Sequence, residues 1–104
     1  MMDVTRGTHG EVVIRIDGTF DAKAATRLAG WLVEVPPAAP LVIDFSHVRD
    51  CEDFGLASVA KDLAGRDQLV VHGLTRHHER MLRYFGVTLD ALPDESGEDE
   101  DATG

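Results

Sequence analysis

Apolar positions along this chain recur with two different periods. Val12, Ile14 and Ile16 alternate with Val13, Arg15 and Asp17, as in a half-buried strand running from Glu11 to Asp17. Asp3-Val4-Thr5 is a candidate first strand and Gly7-Thr8-His9-Gly10 a turn, so the two strands should pair as a hairpin. Gly18-Thr19-Phe20-Asp21 interrupts the alternation. Helical spacing then takes over, with Ala25, Leu28, Ala29 and Leu32 in a helix from about Ala22 to Val33 that Asp21 is placed to cap. Pro36, Pro37 and Pro40 end it. Leu41 to Phe45 is continuously apolar, as expected of a strand covered on both faces, and the polar residues after it read as a loop. A second helix is predicted from about Phe54 to Ala64, with Leu56, Val59, Ala60, Leu63 and Ala64 on one stripe and Gly65 as its stop. Gln68 to His72 reads as a short strand. Thr75 caps a third helix closed by Gly86, with Met81, Leu82 and Phe85 as its apolar side, and Val87 to Leu92 could add an edge strand.

This order predicts an α/β fold: a mixed sheet of four to five strands, an antiparallel hairpin first and right-handed parallel crossovers after it, with about three packed helices that should cover one face more fully than the other. Residues 1–92 form one domain. Beyond Pro93 the chain lacks the apolar groups needed to offset ordering entropy, so residues 93–104 are expected to be a disordered acidic tail.

Charge changes the picture less than its total suggests. The net charge is −9, but six acids (Asp94, Glu95, Glu98, Asp99, Glu100 and Asp101) lie in the tail, leaving 13 acidic and 10 basic residues before it. No basic surface suited to nucleic acid is visible. The single cysteine, Cys51, excludes an intramolecular disulfide, fits a reducing compartment and reads as a small buried hydrophobe. With no apolar leader and no membrane-length apolar run, a cytoplasmic protein without membrane insertion is expected.

The richest stretch for chemistry is Leu41 to Leu56: strand, loop and helix start, where free N–H groups and the helix dipole favour a negative charge. Ser46, Ser58 and Ser96 form no nucleophile elbow, and no phosphate-cradling glycine loop exists, so no enzyme and no cofactor are expected. Asp50, Glu52 and Asp53 should repel one another and stay solvated, which argues against a metal site. His77 and His78, adjacent on a helix, should point in different directions, a poor geometry for joint chelation; His47 and His72 stand alone. Arg76, Arg80 and Arg83 share one side of the third helix, as a solvated face or as a surface for an acidic partner or the acidic tail.

Three segments together resemble the STAS domain of anti-sigma-factor antagonists over roughly Val4 to Leu89. They are Val13-Ile14-Arg15-Ile16-Asp17-Gly18-Thr19-Phe20-Asp21-Ala22, Leu41-Val42-Ile43-Asp44-Phe45-Ser46-His47-Val48, and Glu52-Asp53-Phe54-Gly55-Leu56, the last similar to the family's Asp-Ser-Ser-Gly-Leu signature. The resemblance implies a domain without catalytic chemistry whose binding to a kinase-like anti-sigma factor is switched by phosphorylation of the residue after the signature's first acid. On this chain Glu52 matches that acid, Asp53 the phosphoacceptor, Phe54 the second serine and Gly55 the glycine.

Asp53 departs from the family pattern, because a Ser/Thr kinase cannot modify it. It offers one negative charge where a phosphate offers about 1.5 to 2. Asp53 is therefore expected either as a fixed, incomplete phosphate mimic or as a helix cap, and Phe54 either packs beneath the loop or stands out as an anchor. The partner surface implied is Phe20, Asp21, Glu52, Asp53, Phe54, Gly55 and Leu56. Two other readings follow from the same residues: a non-switching STAS subunit on the ATPase of a lipid-transport ABC complex, and a small-ligand or nucleotide sensor.

Overall fold

The computed structural model describes residues 2–89. Four strands lie in the order β1-β2-β3-β4: Met2–Arg6, Val12–Phe20, Leu41–Cys51 and Leu69–His72. β1 runs antiparallel to β2, while the β2–β3 and β3–β4 pairs are parallel. The crossovers are helices α1 (Ala22–Leu32) and α2 (Asp53–Leu63); α3 (Arg76–Tyr84) follows β4. Both crossovers step the same way along the sheet, so crossovers of the usual hand bring α1 and α2 to the same face.

That face carries the core. Val12, Leu41 and Leu69 share one register row and Ile14, Ile43 and Val71 another, and all six are buried. Against them pack Leu28 and Leu32 of α1, Leu56, Val59 and Leu63 of α2, and Leu82 of α3. The neighbouring residues Val13, Val42 and Val70 point to the opposite face and are only partly buried. The expectation of a central strand covered on both faces is therefore corrected. Burial in β3 alternates, and the continuous apolar run reflects one helix-covered face and one partly covered face of valines.

β2 and β3 also extend further than their sequence pattern suggested. β2 continues through Gly18 (φ +82°) to Phe20, with register shifts that let Asp17 pair with His47 and Phe20 with Cys51. The polar residues Ser46 to Cys51, expected as a loop, are the second half of β3. They pair with β2 only, because β4 stops alongside Asp44. Residues 87–89, expected to begin an edge strand, form none, although Val87 is buried. The rest of that expected strand and the acidic tail lie outside the described residues.

Helix boundaries follow local chemistry. The Asp21 carboxylate accepts from the Ala24 N–H at 3.0 Å, and the Thr75 hydroxyl accepts from the His78 N–H at 3.2 Å. Gly86, at φ +92°, closes α3 through an N–H bond to the Arg83 carbonyl at 3.0 Å. At the end of α1, where no basic residue lies in the last turn, buried Arg66 reaches across from the α2–β4 connection. It donates to the carbonyls of Leu32 (2.6 Å), Val35 (2.9 Å) and Pro36 (3.0 Å).

Candidate functional site

The ends of β2 and β3 lie side by side, so the starts of α1 and α2 emerge together. The Glu52 N–H donates to the Phe20 carbonyl at 2.9 Å. Gly55 sits one turn into α2, where a Cβ would come within 2.8 Å of the Asp21 carbonyl carbon. A glycine is needed there for closeness of approach rather than for backbone conformation. Phe20 and Leu56 are fully buried, and the Phe20 ring meets Phe45 edge-on with centroids 5.2 Å apart. Of the seven expected surface residues, Phe20, Gly55 and Leu56 thus lie beneath the surface, Asp21 is partly buried, and Glu52, Asp53 and Phe54 are exposed.

Glu52 is the N-cap of α2 by backbone conformation, but its side chain makes no capping bond. Asp53 is the first helical residue, and its carboxylate is turned toward α3 instead of its own helix. Oδ1 lies 2.8 Å from His78 Nε2 and Oδ2 lies 3.3 Å from His77 Nε2. Hydrogen bonds from His78 and then His77 hold the Asp53 carboxyl below the usual carboxylate range. The expectation that the two histidines diverge is corrected by this geometry. Their Cβ atoms leave the helix about 100° apart, but the acceptor stands off the helix on α2, and both rings can swing toward it. The ring centroids are 4.9 Å apart. His78 is further fixed by a contact of 3.0 Å between its Nδ1 and the Thr75 hydroxyl.

Beside this cluster, α2 and α3 leave an open groove of about 570 Å³, lined by Asp53, Phe54, Ala57, His77, Arg80, Met81, Tyr84 and Phe85. Three aromatic side chains on it are exposed: Phe54 (71%), Tyr84 (86%) and Phe85 (46%). Tyr84 and Phe85 meet edge-on at 5.6 Å. Only Leu82 of the expected apolar side of α3 is buried; Met81 packs partly against the core, and Phe85 opens to the groove. Arg76, Arg80 and Arg83 are all exposed.

A family model described as Mlab, STAS domain, matches residues 4–92. The chain belongs to the STAS domain family. The STAS fold is also shared with solved structures of low sequence identity. The anti-sigma-factor antagonist SpoIIAA, in its unphosphorylated form, superposes with a TM-score of 0.64 at 12% identity, over 99% of this chain and 100% of that one. The crystal structure of Mglu matches with a TM-score of 0.60 at 18% identity, over 71% of this chain and 20% of that one. No curated protein matches the sequence.

Within this STAS domain the signature-like segment Glu52 to Leu56 divides by depth, with its acids and Phe54 outside and Gly55 and Leu56 inside. Of the groove residues supplied by α3, the sequence offered Arg80 within a stripe for an acidic partner, but not the apolar groove itself. The only hint was the Tyr84-Phe85 pair at the end of a helix whose polar face is otherwise charged.

Proposed function

We propose that this STAS domain is a non-enzymatic regulatory module that docks a protein partner on the α2–α3 groove, without a Ser/Thr phosphorylation switch at position 53. The observation that carries this reading is Phe54, 71% exposed at the start of α2 and continuous with Tyr84 and Phe85. Isolated exposed apolar residues are ordinary, but aromatics gathered on a groove and rimmed by charge are the composition of an interface centre. Asp53 has no hydroxyl to modify, and its carboxylate is held by two imidazoles. The surface is therefore built with its charge in place. By family resemblance the first partner class is a kinase-like anti-sigma factor.

A second reading is favoured by the description of the matching family model, which names Mlab. In it the domain is a fixed accessory subunit on the ATPase of an ABC-type lipid transporter, and the absence of a phosphorylatable residue at 53 is no loss. Either partner would be met in the cytoplasm, and no described helix is long and apolar enough to cross a membrane.

A photo-crosslinking residue at position 54, introduced in the native cell, tests both readings. It should capture one predominant protein, a kinase-like regulator in the first case and an ABC ATPase in the second, while the same residue at His9 on the hairpin turn should not. Phe54→Ala should weaken binding of that protein at least tenfold and change stability by no more than about 0.5 kcal/mol. Equal capture at both positions, or unchanged affinity in Phe54→Ala, would refute the docking surface.

A further inference from the structure

We propose that Asp53, His77 and His78 form a binding site for a first-row divalent metal ion of the zinc class, joining the start of α2 to the start of α3. The three residues each offer one ligand atom, and these atoms lie within 4.8 Å of one another. Zinc holds nitrogen and oxygen ligands at about 2.0–2.2 Å, so tetrahedral ligands stand roughly 3.3 Å apart. The His77 contact, at 3.3 Å, already has that spacing, and the His78 contact, at 2.8 Å, is a hydrogen bond that would lengthen as the ion replaces its proton. Small ring movements bring both imidazoles onto one ion.

The donor set selects the metal. Two imidazoles with one carboxylate suit zinc and its neighbours, whereas calcium and magnesium require oxygen ligands. Thr75 supplies the outer support found around metal-bound histidines, since its hydroxyl contacts His78 Nδ1 at 3.0 Å and fixes the ring with Nε2 toward Asp53. In the metal-free protein, Nε2–H donates to the carboxylate and Nδ1 accepts from Thr75. When the ion replaces the Nε2 proton, the ring proton moves to Nδ1 and donates to Thr75, whose hydroxyl serves equally as acceptor. His77 is exposed and Asp53 borders the groove, so a fourth coordination position is open to solvent or to a donor from a docked protein.

The ion also changes the charge at this surface. A carboxylate with two neutral imidazoles carries one negative charge, and a divalent ion makes the site singly positive. Position 53 would then have a reversible charge change that phosphorylation cannot give it. That consequence rests on the docking reading; the metal site itself does not.

The full chain is titrated with zinc chloride by calorimetry at about pH 7.5, because zinc competes with protons for its ligands and its binding weakens as the pH falls. One zinc per chain is expected. Asp53→Asn, His77→Ala and His78→Ala should each weaken binding by about tenfold or more, and His9→Ala with His47→Ala should leave it unchanged. Cobalt(II) should give visible absorption bands that disappear in the same three variants, with circular dichroism reporting that each remains folded. The site is refuted if the wild-type chain takes up no zinc saturably at submillimolar concentration. It is equally refuted if uptake is undiminished when all three residues are replaced. Because the assay uses the chain alone, its failure leaves the docking surface standing, and failure of the crosslinking leaves the metal site standing.

Discussion

Two residues near the start of α2 are set by their surroundings in ways a titration can read. Asp53 is exposed, and its depressed pKa comes from the hydrogen bonds of His78 first and His77 second. A carboxylate whose pKa is lowered on folding contributes stability above its unfolded value, near 3.9, and loses it as the pH falls through the lower folded value. Carbon-detected NMR should therefore place Asp53 below a free aspartate, and His78→Ala should raise it more than His77→Ala. An unmoved Asp53 in both variants would mean that the contacts do not persist in solution. Cys51 is shifted the other way. Burial, reinforced by Asp53 and Glu52, pushes its thiol up to about 11. That leaves roughly a hundredfold less thiolate than a free cysteine, so alkylation by iodoacetamide near pH 8 should be slower by a similar factor. Labelling at the free-thiol rate would contradict the partly buried position. The sequence-level view of Cys51 as a small hydrophobe agrees with this. The pairing of Asp53 with two histidines was invisible because it depends on how α2 and α3 pack.

At the scale of elements, what could be read from the sequence was what neighbouring residues decide. Asp21 and Thr75 cap helices, Gly86 ends one, and the Gly7 to Gly10 turn joins the hairpin, all within a few residues of the signal. What could not be read depends on partners far along the chain. Ser46 to Cys51 looks like a loop because a strand paired on one side in solvent needs no apolar alternation. Arg66 gave no signal at all, yet it satisfies three carbonyls at the end of α1 from 30 to 34 residues away. Its charge also opposes the negative end of that helix. Replacing it by alanine leaves those carbonyls without their donor, which should cost about 2–4 kcal/mol in urea unfolding. Arg66→Lys should recover only part of this, since one ammonium cannot reproduce the planar fork. A loss below about 1 kcal/mol for Arg66→Ala would show that water replaces the guanidinium freely.

For the molecule as a whole, the decisive asymmetry is between the two faces of the sheet. The overall topology was legible, because three strand-like and three helix-like segments in alternation, with one earlier strand making a hairpin with the first, leave few arrangements. Three helices were enough to expect one face covered more fully, but not how β3 divides between the two, because a run such as Leu41 to Phe45 has the same composition whether one or both faces are covered. Adjacent residues in β3 separate the cases: Ile43→Ala should cost about 2–5 kcal/mol, whereas Val42→Ala should cost about 1 kcal/mol or less. Equal losses would indicate a second covered face. The second half of β3 bears on pairing between copies as well. Past Asp44, β3 runs on to Cys51 with no described strand on its β4 side; the β4–α3 connection flanks it at Ser46, where a Cβ on Gly73 would meet the backbone, and beyond that it is an edge of the kind that can pair with another chain. His47, Arg49 and Asp50 stand exposed along that rim. The polar residues that disguise this half of the strand are also of the kind that disfavours edge-to-edge pairing of copies.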